Sequence, residues 1–339
     1  MKVCRVGIIG CGRIAQMYLQ VFKAISDKAQ VVFCVDKVLE RAKDFASHFE
    51  HAGYSDKIED LLCQNLDTVH VLSPHFLHKE HVEACLRAGF DVLTEKPIAI
   101  KTKDGIEMTR LAESLGRNFG VVFQNRYIEG VQEVKRLYDS GVLGKVKGVW
   151  SHLAWFRPPS YYQCDWKGKW ATEGGGVVID QAIHSIDLVR YVLGLPVKSI
   201  TANMDRRVLT MIEVEDVADA AIELEGGVIY SFFACNYYTY NSPIRIGFDF
   251  EKGRALLTGF DMEITLENQE PIHISPSSGV NVEGKNYWGS YHLKQISKFY
   301  DDLSQGKKVS WDGYDATETL KVVLGIYESA RNHKKINFD

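Results

Sequence analysis

The chain is expected to be a two-domain α/β protein. A doubly wound parallel sheet comes first, followed by an α+β domain with a large open, mainly antiparallel sheet. Three observations predict this. The length of 339 residues suits about two domains at ~150 residues each. In the first part of the chain, continuous apolar runs alternate with amphipathic segments. From about residue 145 the texture changes to period-two alternation broken by tight-turn sequences.

The elements of the first part follow in order. "VCRVGIIG" is an apolar, β-rich run that ends at Gly10, and it reads as a first strand rather than a secretory leader. "RIAQMYLQVFKAI" has helical spacing through Ile14, Tyr18, Val21, Phe22 and Ile25. "AQVVFCVD" is a second strand and "VLERAKDFASHF" a second helix. Further strands read at "DTVHVL", "DVLTE" and "FGVVFQ", with helices over 77–88 and 102–116. Strands that are apolar throughout need cover on both faces, as a parallel sheet flanked by helices provides.

In the second part, "GKVKGVWSHLAWF", "VKSITANMDRRV", "DVADAAIELEGGVIYSFFACNYY", "IRIGFDFEKGRALLTG" and "MEITLEN" alternate apolar and polar residues, with "EGG" and "EKG" as hairpin turns. One face of such a sheet is covered and the other is open. Helices over 289–305 and 314–332 close the chain. The domains are placed at 1–123 and 124–339.

Composition narrows the function classes. Hydrophobic residues at 45% and charged residues at 25% are those of an ordinary globular protein with a sizeable core. A net charge of −4 gives no electrostatic footprint for nucleic acid or an anionic membrane. No apolar run approaches the ~20 residues that span a bilayer. The seven cysteines are scattered, odd in number and without a C-x-x-C pair, which fits reduced thiols and a cytoplasmic location.

The loop "GCGRIA" after the first strand matches the dinucleotide fingerprint G-x-G-x-x-G/A. Gly10 permits the tight turn, Gly12 lets backbone approach a pyrophosphate, and Ala15 lets helix and strand pack closely. Backbone N–H groups at Arg13 and Ile14 open the helix toward the phosphates. Asp36 ends the second strand, where it can accept hydrogen bonds from ribose hydroxyls and would repel a 2′-phosphate. NAD is therefore favoured over NADP, although Lys37 beside it weakens that argument. Ser73, Pro74 and His75 cap the next strand at the ligand end of such a sheet, with His78 following. His75, His78 and His81 have no completing ligand nearby, so no metal is expected. Glu95 and Lys96 lie at the end of another strand on the same ligand side, and the Lys96–Pro97 bond is a candidate for the cis form. Gln124 and Arg126, after the last strand of this part, are within reach of cofactor or substrate.

"GGGVVIDQAIHSIDL", Gly174 to Leu188, places three glycines before an apolar segment that carries Asp180, His184 and Asp187. As a helix over 177–193 it sets these three on one face, with Ile179, Ala182, Ile186, Val189 and Leu193 opposite. A buried histidine satisfied by a carboxylate one turn away explains such a pair equally well. Just before it, "AWFRPPSYYQCDWKGKWATE" is loop-like, aromatic and cationic. Trp155, Arg157, Tyr161, Trp166 and Trp170 suit a sugar, which has apolar C–H faces and a polar rim, although about half of such aromatics serve only packing. Tyr287 and Trp288 are weaker candidates for the pocket.

Taken together, "GCGRIA", Asp36, "EKP" and "GGGVVIDQAIHSID" resemble the Gfo/Idh/MocA family, the glucose–fructose oxidoreductase and inositol dehydrogenase group. The resemblance runs through to "HLKQISKFYDDLSQGKKVSWDGYDATETLKVVLGIYESA". It implies an N-terminal Rossmann domain, a C-terminal open-faced α/β domain, and assembly into a homodimer or homotetramer, here through the open sheet. It also implies Lys96, Asp180 and His184 as the catalytic set. Ala182 departs from the glycine that many members have two residues after the motif aspartate. The expected activity is NAD(P)-dependent hydride transfer between the nicotinamide and a secondary alcohol or ketone of a sugar, sugar derivative or cyclic polyol. His184 would be the base, Lys96 would stabilise the developing alkoxide, and Asp180 would orient the substrate beside Lys96 or His184. Asp187 is expected to support His184. The alternatives are a non-catalytic dinucleotide-binding sensor on the same fold, or a reductase of a non-sugar substrate.

Overall fold

The computed structural model describes residues 3–276, 290–309 and 312–338. Packing divides the chain into two units, with the first break between Gln124 and Asn125. In the first unit, β1 (Cys4–Ile9), α1 (Ala15–Ala24), β2 (Ala29–Val35), α2 (Leu39–Ala46), β3 (Gly53–Ser55), α3 (Ile58–Leu62), β4 (Thr68–Val71), α4 (His78–Arg87), β5 (Asp91–Thr94), α5 (Thr102–Ser114) and β6 (Phe119–Val121) follow in order. The sheet runs β3-β2-β1-β4-β5-β6 with every neighbouring pair parallel. The strand order therefore reverses between β1 and β4, where ligands of doubly wound sheets bind. Val6, Ile8, Val31, Val69, Val71, Val92 and Leu93 are fully buried, as a sheet covered on both faces requires. The short elements β3 and α3 carry too few residues to show a period in sequence.

The second unit begins with α6 (Glu129–Asp139) and β7 (Val146–Ala154). It continues through α7 (Ile183–Leu193), β8 (Val197–Asp205), β9 (Val217–Leu224), β10 (Ile229–Cys235), β11 (Arg245–Phe250), β12 (Gly253–Thr258), β13 (Asp261–Leu266) and β14 (Ile272–Ile274). The chain returns to the first unit with α8 (Ser290–Ser304). It leaves again within α9 (Gly313–Asn332), after Glu318, and ends on β15 (Ile336–Asn337). This corrects the expectation of one unbroken domain over 124–339. The reason is visible in α8. Its Gln295 side chain bonds Phe123 N and Val121 O at the end of β6, and its Tyr300 hydroxyl lies 2.8 Å from His70 Nε2 in β4. Ile296, Phe299 and Tyr300 join the core formed by β1, β2 and α1.

The second sheet runs β14-β13-β12-β11-β7-β10-β9-β8-β15, and only β7 and β10 pair in parallel. Strand β9 alternates as the sequence predicts: Ala218, Ala220, Ile222 and Leu224 are buried, while Asp219 and Ala221 are exposed. Helix α6 lies so close to β13 that a Cβ on Gly130 would fall 2.1 Å from Met262 Cβ. The last turns of α9 join β8, where Ala202 N donates to Ser329 Oγ at 3.0 Å.

One ion pair ties the start of this unit to α7. Arg126, in a 3₁₀ turn over Gln124–Tyr127, donates from Nε to Asp187 Oδ2 (2.7 Å) and from Nη2 to Asp187 Oδ1 (2.5 Å). Thr319 Oγ1 adds a third donor at 3.0 Å. Both charged residues are buried. Removing one partner of such a pair strands the other charge. Arg126→Met should therefore lower the unfolding free energy in urea by about 3–5 kcal/mol. A loss below about 1 kcal/mol, as for an exposed pair, would show that the pair is not an anchor.

Candidate active site

In the first unit, the fingerprint loop fits a dinucleotide. Gly10 has φ +96°, and a Cβ there would fall 2.7 Å from the Leu72 carbonyl, so only glycine serves. Around Gly12 nothing lies within 4 Å of a Cβ position, which leaves an open cradle beside the backbone. No side chain caps the N-terminus of α1 behind Arg13 and Ile14, and Ala15 is fully buried against the sheet. Unpartnered N–H groups at a helix start suit phosphate oxygens. Asp36 Oδ2 accepts from Cys11 N and Oδ1 from Val38 N, both at 2.9 Å, so this carboxylate holds the loop.

The turns after β4 and β5 are stitched together by His78. Its Nδ1 lies 2.8 Å from Pro97 O and its Nε2 2.8 Å from Ser73 O. The ring is fully buried, and burial holds its pKa below the usual histidine value. His78 is thus a brace for the Ser73–Pro74–His75 turn and the Lys96–Pro97 turn, which corrects its placement as a cofactor contact. Ser73 Oγ meets His81 Nδ1 at 2.9 Å, and His75 is buried. The Lys96–Pro97 bond is cis, as its place at a strand end suggested.

Glu95 is likewise internal. It accepts from the Tyr18 hydroxyl at 2.8 Å and lies 3.4 Å from His292 Nε2. Burial opposes its charge, but His292, Lys96 and Tyr18 together hold its pKa down at about 2. Lys96, the next residue, is half-buried.

The glycines of the second motif lie against the protein itself. A Cβ on Gly175 would fall 2.1 Å from the Tyr327 hydroxyl, and one on Gly176 1.9 Å from the Glu215 carbonyl oxygen. The buried Glu215 carboxylate accepts from Gly176 N (2.8 Å), Val178 N (3.1 Å) and the Tyr327 hydroxyl (2.8 Å). Close approach to a ligand therefore does not explain Gly175 and Gly176; Tyr327 and Glu215 do.

Val178–Ala182 is a π-helical turn that runs into α7, so the predicted uniform helix over 177–193 is interrupted where Asp180 sits. Asp180 Oδ2 accepts three hydrogen bonds: Lys167 Nζ and Gln181 Nε2 at 2.6 Å each, and the Tyr161 hydroxyl at 2.7 Å. Lys167 also bonds Glu173 Oε1 at 2.9 Å and lies over the rings of Tyr161 and Trp166. Gln181 Oε1 accepts from Asn236, whose side chain also reaches the Tyr162 hydroxyl. His184 follows one turn on and is half-buried. Asp187, expected beside His184, is committed to Arg126, and Arg126 is correspondingly not a ligand-facing cation through Nε and Nη2.

The aromatic loop splits in two. Arg157 lies over Trp155 (4.6 Å) and Tyr161 (5.2 Å), so Trp155, Arg157, Tyr161 and Trp166 gather about the Asp180 network. Trp170 instead packs, half-buried, on Tyr327 and Arg331 and donates to Glu213 O. Gln124 Oε1 is buried and has no hydrogen-bond partner among the described residues. Tyr287 and Trp288 lie outside the described residues. Lys167 stands in the loop that the sequence marks as cationic, but no spacing pairs it with Asp180. Tyr18, Glu173, Gln181, Glu215, Asn236 and His292 were not marked as site residues by any spacing.

Residues 4–123 match the family model described as an oxidoreductase family with an NAD-binding Rossmann fold, and residues 131–256 match the GFO/IDH/MocA C-terminal domain. The chain belongs to the Gfo/Idh/MocA family. Its relatives include the D-glucoside 3-dehydrogenase of Escherichia coli (strain K12), 27% identical over 98% of this chain and 97% of that one. The myo-inositol 2-dehydrogenase of Thermotoga maritima is 27% identical over 99% and 98%. Among solved structures of this family, the WlbA dehydrogenase from Bordetella pertussis, in complex with NADH and UDP-GlcNAcA, has a TM-score of 0.88 at 26% identity, covering 100% of this chain and 99% of that one. Among the described residues no helix is long and apolar enough to cross a membrane, and no His/Cys/Asp/Glu group could hold a metal ion.

The charge on Glu95 has a consequence for stability. Its depressed pKa contributes stability that is complete above the value of an unfolded glutamate, about 4.3, and is lost as pH falls toward about 2. Glu95→Gln should lower unfolding free energy by roughly 3 kcal/mol at about pH 6, and the gap to wild type should narrow by about pH 3. A gap that does not vary with pH in urea titrations would assign the effect to packing instead.

Proposed function

We propose that the chain is an NAD-dependent dehydrogenase acting on a secondary alcohol of a sugar, sugar derivative or cyclic polyol. The observation that carries this reading is the open cradle at Gly12, on a sheet whose β5 is followed directly by Glu95 and Lys96, in a chain that also holds Asp180 and His184 one turn apart. The Gly10–Ala15 loop and the start of α1 would hold the pyrophosphate, and Asp36 the adenosine ribose, with Ser73, Pro74 and His75 at the same end of the sheet. Accepting the hydride from the carbinol carbon is the chemistry that NAD supplies when bound.

The chain handles the proton. His184 takes it from the reacting hydroxyl. Lys96 donates a hydrogen bond to the same oxygen and offsets its developing negative charge. Asp180 accepts from a neighbouring substrate hydroxyl and sets the ring's orientation. Trp155, Tyr161 and Trp166 offer apolar faces to the C–H surface of a sugar, with Arg157 at the rim. A sensor that only bound dinucleotide would have no use for a lysine, an aspartate and a histidine of this kind together. The open face of the second sheet favours a homo-oligomer that covers it, and seven cysteines without a disulfide favour the cytoplasm.

NADH formation measured across polyols, hexoses and nucleotide sugars tests the reading directly. His184→Ala should lower kcat by about 10²–10⁴-fold while NAD affinity, followed by fluorescence titration, stays the same. Equal loss of both would remove His184 from the base role.

A further inference from the structure

Asp180 lies in an apolar helix, and the question is what state its carboxyl occupies. The second unit answers with its own groups. The Lys167 and Asp180 side chains are only 12% and 9% exposed, and the ammonium is 2.6 Å from Oδ2. Tyr161 and Gln181 donate to the same oxygen. Three donors, one of them charged, favour the carboxylate over the acid.

Glu173 is the other acid in the cluster. It is 1% exposed, receives Lys167 on Oε1 and receives Gly168 N on Oε2 at 2.5 Å. One ammonium cannot neutralise two buried carboxylates. Burial, with the Asp180 charge adding to it, pushes the Glu173 carboxyl up to about 8 despite Lys167. Burial also opposes the charge on Lys167, but Asp180, Tyr161 and Glu173 outweigh it and hold its pKa well above the ordinary lysine range. The faces of Tyr161 and Trp166 pin the same ammonium at 4.6 and 4.5 Å. The cluster thus sets one ammonium between two buried acids.

We propose that Lys167 is a positioning residue that holds Asp180 as a permanent, immobile anion, so that Asp180 orients the substrate and takes no proton during turnover. The turnover part rests on the dehydrogenase reading above; the state of Asp180 does not. Without Lys167, two carboxyls remain buried with no cation between them, and Asp180 takes up a proton.

The test uses the full-length protein without added ligand, with ¹³C-labelled aspartate and infrared spectroscopy of the carboxyl bands. Lys167→Met is expected to gain a protonated-aspartate band at neutral pH that wild type and Lys167→Arg lack. With substrate, Lys167→Met is expected to lose about 10²-fold in kcat/KM, the scale of a misplaced reacting group, with NAD affinity unchanged, and Lys167→Arg to recover most of it. No new band, or a wild-type kcat/KM in Lys167→Met, overturns the proposal. Should Lys167→Met fail to fold, the difference spectrum of wild type against Asp180→Asn decides: an ionised band alone supports the proposal, and a protonated one overturns it. If wild type forms no NADH from any polyol or sugar, the functional reading falls, while the infrared comparison still decides whether Lys167 fixes Asp180.

Discussion

The pair between Lys167 and Asp180 is the interaction on which the buried polar cluster of the second unit depends. A carboxylate buried in an apolar segment costs several kcal/mol unless a counter-charge and hydrogen bonds meet it. Here they come from a loop thirteen residues upstream, through Lys167 and Tyr161, and from the adjacent Gln181. The aromatic loop has an internal task as well: its Tyr161 and Trp166 rings lie against the ammonium that holds the acid, so the rings proposed to face substrate also hold the charge.

The first unit solves the same problem with different residues. Glu95 is buried next to Lys96, and Tyr18 and His292 hold it from α1 and α8. His78 reaches the carbonyls of Ser73 and Pro97 and so sets the turns after β4 and β5 together. None of these groups needs to touch a ligand. Each fixes the backbone from which a candidate ligand-facing residue projects, which is how a lysine at a strand end acquires one position rather than many. The return of α8 to this unit has the same logic, because Gln295 supplies hydrogen bonds to Phe123 and Val121 that the sheet's own connections do not.

The parallel strands and the fingerprint were legible because they are local. A parallel strand buried on both faces shows as a continuous apolar run, and Gly10, Gly12 and Asp36 sit at spacings that a dinucleotide imposes. The period-two strands β7 to β13 were legible for the same reason. Elements α3 and β3 were not, since five and three residues carry no period. Long-range pairing was illegible throughout. Arg126 and Asp187 are 61 residues apart, and nothing in either neighbourhood marks them as partners. Spacing on one helix face pointed Asp187 at His184; an arginine from before α6 captured it instead.

The glycine triplet shows how a motif can be right for a different physical reason. Glycines before a polar-studded helix read as room for a ligand, but Tyr327 and the Glu215 carbonyl occupy the space beside Gly175 and Gly176. Glu215 then accepts the N–H groups of Gly176 and Val178 at the entry to the π-helical turn. A side chain at either glycine would push that turn away from Glu215 and carry Asp180 with it. The constraint on the triplet is therefore internal packing, and its effect on chemistry passes through the position of one carboxylate.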